Sequence, residues 1–175
     1  MELGDHQEIS IYIVSCTAPF VQEAGREAYE SSESKKSIEI MVKNFEERRN
    51  YAVPALNAIE GITCAMPKGA FYLFPNIEGA CKKMGIFEAI EHLPADVQKR
   101  TFPSKLFQMF VLYKYGVATM DRKSFGQVGA DGKHFIRLSI ASSLENIKEG
   151  IERIKKATLD KDGFAKFIAE GKHLY

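Results

Sequence analysis

The stretch Lys133-His134-Phe135-Ile136-Arg137-Leu138-Ser139-Ile140-Ala141-Ser142-Ser143-Leu144-Glu145-Asn146 decides how the rest of the chain is read. Its first half alternates with period two, so Ile136, Leu138 and Ile140 share one strand face and Phe135, Arg137, Ser139 and Ala141 the other. The aliphatic face suits a core. The other carries one guanidinium beside an aromatic and small residues. Gly129 and Asp131-Gly132 supply a turn before the strand. Ser142-Ser143-Leu144-Glu145 then reads as a capping box, with a serine capping an amide and the glutamate reaching back. The helix that follows places Ile147, Ile151 and Ile154 on one stripe. A strand arginine ahead of a helix suits a planar carboxylate, whose two oxygens match the guanidinium fork. The same spacing serves a structural ion pair or an edge-strand arginine, and both readings stand at this point.

Working outward toward the N-terminus, Ile9–Val14 forms a short β-type run, and Pro19 suits a first helical turn. Phe20, Ala24 and Ala28 recur at helical spacing, and Ser31-Ser32-Glu33-Ser34 reads as a linker. A long amphipathic helix is predicted from about Ser37 to Ile59. Its apolar positions are Ile38, Met41, Val42, Phe45, Ala52, Val53, Leu56 and Ile59, with a kink or break at Pro54 and an end at Gly61. Glu46-Glu47-Arg48-Arg49 reads as a solvated patch. Ile62–Met66 and Phe71–Phe74 are expected to form a hairpin around Pro67-Lys68-Gly69. Tyr72 is taken as half-buried core.

Ala80 to Ile90 is read as helical despite Gly85, and Leu93-Pro94-Ala95-Asp96 as loop. Ser104 should cap a helix through Tyr115, with Leu106, Phe107, Phe110, Val111 and Tyr113 inward, and Gly116 ending it. Val117–Met120 is expected as a third strand, the stretch from Asp121 to Lys133 as a turn-rich loop, and the tail from Phe164 to Leu174 as a last helix.

Composition narrows the function classes. A 175-residue chain with 45% hydrophobic and 27% charged residues has globular proportions. Net charge +1 offers no global attraction for nucleic acid or anionic membrane. No apolar run approaches the roughly 20 residues of a membrane span, and the opening residues lack a secretory signal pattern. Cys16, Cys64 and Cys81 are read as buried free thiols, and the cytoplasm as the compartment. His6, His92, His134 and His173 are scattered, with no metal-ligand spacing. Asp160-Lys161-Asp162-Gly163 resembles a calcium loop but lacks the closing glutamate, since Ala169 stands at the twelfth position.

Several phrases fall in one order: Glu46-Glu47-Arg48-Arg49-Asn50, Leu56-Asn57-Ala58-Ile59-Glu60-Gly61-Ile62, Pro67-Lys68-Gly69-Ala70-Phe71-Tyr72-Leu73-Phe74-Pro75, Gly116-Val117-Ala118, Ser124-Phe125-Gly126 and Ile136-Arg137-Leu138-Ser139-Ile140-Ala141. Together they resemble the C-terminal part of a class I/II, aspartate-aminotransferase-like enzyme of the fold-type I pyridoxal-phosphate group. The resemblance implies an α/β architecture, with a small antiparallel or mixed sheet covered by helices, a long kinked helix and a β-α remnant of a larger domain. Residues 1–31 would end the large cofactor domain, 32–61 would form the linking helix, and 62–175 the small domain. Arg137 would grip the α-carboxylate of an amino-acid or 2-oxo-acid substrate.

In the family a Schiff-base lysine, an aspartate on the pyridine nitrogen and a Gly-x-Arg-x-Gly segment lie upstream of the matched region. The resemblance therefore implies an inactive fragment of a homodimeric parent. Pyridoxal phosphate would be bound by the parent and not by this chain alone, which offers no catalytic, cofactor or metal residue of its own. Two departures stand out: Asp121-Arg122 where Pro-Gly is frequent, and Ser15-Cys16-Thr17-Ala18-Pro19 in place of a Ser-Asn-Pro stretch. The alternative is a stand-alone, non-catalytic module that binds an amino acid or another carboxylate, or a partner.

Overall fold

Sequence periods of 3.6 and 2 become a mostly helical chain with one small sheet. In the computed structural model, residues 16–126 and 132–171 are described. The strand expected at Ile9–Val14 lies outside them. The chain divides into two compact units, Met1–Lys43 and Asn44–Tyr175.

The first unit holds α1 (Pro19–Glu30) and the start of α2 (Ser32–Asn57). Pro19 opens α1, whose fixed φ suits that place. Arg26 pairs with Glu23 and Glu30 at one-turn spacings. The Ser31–Ser34 linker shrinks to Ser31 alone, because its hydroxyl accepts from the Glu33 N–H and starts the next helix. Ile38, Met41 and Val42, expected in a buried stripe, are each about half exposed. On α2 burial begins only at Ala52, Val53 and Leu56. The break foreseen at Pro54 does not occur. Pro54 sits in the last turn, where its carbonyl accepts from Ala58 N at 3.0 Å.

The second unit is built on a three-stranded antiparallel sheet in the order β1 (Tyr72–Leu73), β3 (Ile136–Ser139), β2 (Met120–Asp121). Tyr72 pairs with Ser139 and Leu73 with Leu138, while Met120 pairs with Arg137 and Asp121 with Ile136. This confirms the expected fold class: a small antiparallel sheet with helices. The hairpin is corrected. Residues 62–66 contribute one bridge, Thr63 to Asn76, and β1 pairs with the distant β3 instead. The Asn57 side chain occupies the backbone of Cys64, donating to its carbonyl at 3.0 Å and accepting from its N–H at 2.8 Å. Those groups are thereby withdrawn from any ladder. The third strand begins three residues later than expected, at Met120–Asp121.

Helices α3 (Glu78–Met84), α4 (Ile86–Glu91), α5 (Ala95–Arg100) and α6 (Pro103–Tyr115) follow β1. Gly85 separates α3 from α4 at φ 77°, a conformation that L side chains resist. Gly61 also has no freedom to be another residue: a Cβ there would lie 2.4 Å from Ala80 N, where the chain passes against the first turn of α3. Ala95 and Asp96, read as loop, instead open α5 directly after Pro94, with Asp96 in its first turn and Lys99 and Arg100 in its last. On α6 the cap is Phe102 and Pro103 opens the helix, so Ser104 is not the cap and is buried. Tyr113, expected inward, is 56% exposed.

Leu106, Phe107, Phe110 and Val111 are fully buried, and α6 packs on α3, α4, β2 and α7 (Leu144–Leu159). An apolar surface on several sides is what a central helix requires. Ser143 caps α7 by accepting from Asn146 N at 3.2 Å. The Glu145 carboxyl is held below its usual value by its own backbone N–H and by the Ser143 hydroxyl. Ile147, Ile151 and Ile154 form the buried stripe as read.

The Asp160–Gly163 stretch begins α8 (Lys161–Ala169), the described part of the tail helix. Asp160 accepts from Gly163 N at 2.9 Å, from the Tyr115 hydroxyl at 2.6 Å and from Lys114 Nζ at 2.7 Å. Lys114 and then Tyr115 pull the Asp160 carboxyl down from 3.8 to about 2. Burial first, then Asp160, pushes the Tyr115 hydroxyl up to about 12. A depressed carboxylate contributes its full stability above its unfolded value and loses it as pH falls through the folded one. Asp160→Asn should therefore cost about 1–2 kcal/mol at pH 6, with the deficit shrinking between pH 4 and 2. Urea midpoints of both proteins across that range check it. Parallel curves would refute it.

Candidate functional site

Backbone register sets the site. Ile136 and Leu138 point into the core, so Arg137 must emerge on the opposite face of the central strand, across from Met120. Tyr72, opposite Ser139 on the other flanking strand, lies diagonal to Arg137 on that face. A 3-10 turn, Arg122–Phe125, follows β2. Asp121 Oδ1 accepts from Lys123 N at 2.7 Å and Ser124 N at 3.2 Å, and Oδ2 accepts from the Ser124 hydroxyl at 2.6 Å. Arg122 N donates to Phe135 O, and Arg122 Nη1 to Gly126 O, each at 3.0 Å. The Asp121-Arg122 departure noted in the sequence thus makes a braced turn that delivers Phe125 to the sheet.

The Arg137 guanidinium carbon lies 4.2 Å from the centre of the Tyr72 ring and 4.4 Å from that of Phe125. Its Nη2 donates to the Met120 thioether at 2.8 Å. Among the described residues no carboxylate pairs with Arg137. A thioether is a weak acceptor, so the fork keeps its capacity for a planar anion. The aromatic neighbours come from β1 and the turn. Phe135, its neighbour in sequence, stacks on Phe74 at 5.3 Å instead.

The rest of the aromatic face runs away from the arginine. Phe71 touches Tyr72 at 4.4 Å and Phe45 at 5.9 Å, and Arg48 lies over Phe45 at 5.3 Å. Arg48 and Arg49 are half-buried, which corrects the reading of a solvated patch. Arg48 donates to Ile140 O and Arg49 to Pro67 O, each at 3.4 Å, because residues 45, 48, 49 and 52 fall on the sheet side of α2.

Other candidates resolve into structure. Cys64 and Cys81 are buried as expected, and burial raises both thiols, whereas Cys16 is exposed. His134 meets the Phe87 ring edge-on at 5.0 Å, and burial lowers its pKa. His92 is exposed, and His6 and His173 lie outside the described residues. Among the described residues no group of three His, Cys, Asp or Glu side chains is placed to hold a metal, and no helix is long and apolar enough to cross a membrane. None of the described lysines is buried.

Sequence reading found Arg137 and missed its two rings. Tyr72 was legible as a half-buried strand residue with a hydroxyl able to hydrogen-bond a ligand, not as a ring beside the arginine. Phe125 carried one signal, an aromatic inside an otherwise polar, turn-rich stretch.

No protein-family model matches the chain. Over 150 residues it is 35% identical to an aspartate aminotransferase of Pyrococcus horikoshii, an alignment covering 86% of this chain and 32% of that protein. Over 144 residues it is 36% identical to a probable aspartate/prephenate aminotransferase of Aquifex aeolicus, covering 82% and 31% respectively. In structure it is similar to an aromatic aminotransferase of Pyrococcus horikoshii, with TM-score 0.67 and 28% identity over 89% of this chain and 35% of that one. The chain spans about a third of the length of these relatives.

Proposed function

This chain is related in sequence and fold to aspartate-aminotransferase-like enzymes of fold type I, and from that premise we propose that it is the C-terminal portion of a pyridoxal-phosphate-dependent aminotransferase. The parent transfers an amino group between an amino acid and a 2-oxo acid. In this reading residues 1–31 end the cofactor domain, 32–61 link, and 62–175 form the small domain. The parent is a cytoplasmic homodimer with no nucleic-acid or membrane partner.

The observation that carries the proposal is Arg137, a guanidinium on the central strand flanked by two rings and given no carboxylate among the described residues. Its part is to bind and orient. Two parallel N–H donors hold the substrate carboxylate, which fixes the rest of the molecule for proton removal by groups elsewhere in the parent. The cofactor supplies the electron sink when bound. The lysine that would hold it lies, in this reading, in the part of the parent upstream of this chain.

The test is to sequence the native transcript upstream of the Met1 codon. An in-frame extension with a Schiff-base lysine and Gly-x-Arg-x-Gly is expected. The purified chain should show no turnover of L-aspartate with 2-oxoglutarate when pyridoxal phosphate is added. Turnover would overturn the fragment reading. A stop codon close upstream would replace it with a stand-alone carboxylate-binding module.

A further inference from the structure

We propose that Phe125 is a positioning residue: with Tyr72 it clamps the Arg137 guanidinium between two rings, so that only the edge of the fork is presented to a carboxylate. The inference rests on the carboxylate-binding reading of Arg137 and adds to it a second, separately testable residue.

Both ring centres lie within 4.5 Å of one carbon, at 4.2 and 4.4 Å. The two rings reach the guanidinium from different segments, Tyr72 from β1 and Phe125 from the turn after β2. A planar cation covered on its faces can neither tip nor be approached from above, while its N–H donors still project in plane. Long side chains lose rotamer freedom when they bind, and ordering Arg137 before the ligand arrives removes much of that cost from binding.

The ring of Phe125 is itself anchored rather than free. Asp121 takes two N–H groups and the Ser124 hydroxyl, Arg122 closes the turn on Gly126 O, and Asp121 N is held by Gln108 Oε1 at 3.1 Å. Gln108 lies on α6, the central helix, so the clamp is referenced to the core. Phe125 remains 43% exposed, so its ring is open to substitution without disturbing the core.

The experiment follows the Arg137 Nε–H resonance by NMR in the 175-residue chain, with L-aspartate as the probe. In the wild type that proton should be shifted by ring currents. Phe125→Leu should move it toward the free-arginine position and weaken L-aspartate binding about 3- to 10-fold, without lowering the thermal midpoint. Phe125→Tyr should restore both. An Arg137 resonance unchanged by Phe125→Leu overturns the clamp whatever the affinity. If the ring-current signature responds as stated but aspartate perturbs no variant, the carboxylate-binding reading falls and the positioning role falls with it. If Arg137→Ala abolishes aspartate binding while Phe125→Leu leaves it unchanged, only the clamp fails.

Discussion

Arg137→Ala is expected to weaken binding of L-aspartate and of 2-oxoglutarate about 100-fold or more, since two hydrogen bonds to a charged group contribute roughly 1.5–3 kcal/mol each. Arg137→Lys should retain a cation but lose the fork and the flat faces that Tyr72 and Phe125 cover, so an intermediate loss of about tenfold is expected. The stability of both variants should stay near that of the wild type. Among the described residues the guanidinium holds no carboxylate, and it donates to the Met120 thioether. That pairing of outcomes separates the ligand reading from the structural one. An arginine serving an ion pair would cost stability when removed and leave carboxylate affinity alone. Calorimetric titration with both acids, beside thermal denaturation, measures the two quantities on the same samples. Wild-type affinity in Arg137→Ala would end the proposed role.

The strand that carries this arginine was legible because its two faces differ sharply in chemistry. Ile136, Leu138 and Ile140 leave one register open, and a slip of one residue would bury a guanidinium. The helix after it was legible for the same reason, through Ile147, Ile151 and Ile154. What failed were inferences from local sequence about partners. The expected hairpin of residues 62–74 has good turn chemistry at Pro67-Lys68-Gly69. Even so, the side-chain amide of Asn57, seven positions before Cys64, captures that residue's backbone, and β1 goes to β3 instead. Ser104 has the character of a cap, yet Pro103 ahead of it fixes the helical start one residue earlier. The site was half legible in the same sense. Period two gives the direction of Arg137 from its own strand, but Tyr72 and Phe125 come from segments 65 and 12 residues away, about which strand periodicity says nothing.

Phe110→Ala is expected to cost about 3–5 kcal/mol, a large part of the stability of a domain of this size. The side chain is fully buried on the central helix. Its ring meets Tyr115, Phe164 and Phe167 at 5.6, 5.5 and 5.6 Å, in edge-to-face arrangements. Those contacts tie α8 to α6, and each aromatic pair adds about 0.5–1.5 kcal/mol beyond the area it buries. Phe107 is the internal control, buried to the same extent but with no ring contact recorded among the described residues, so Phe107→Ala should be the milder of the two. Phe110→Leu, which keeps most of the volume, should recover more than half of the loss. Urea denaturation at neutral pH gives all three values. The consequence reaches the site, because α6 also packs on β2, the strand that places Met120 opposite Arg137, and its Gln108 holds the turn bearing Phe125. In Phe110→Ala the Arg137 resonance should therefore broaden under conditions where the chain is still folded. A stable variant with an unchanged site would mean that α6 is not the element on which this half of the molecule depends.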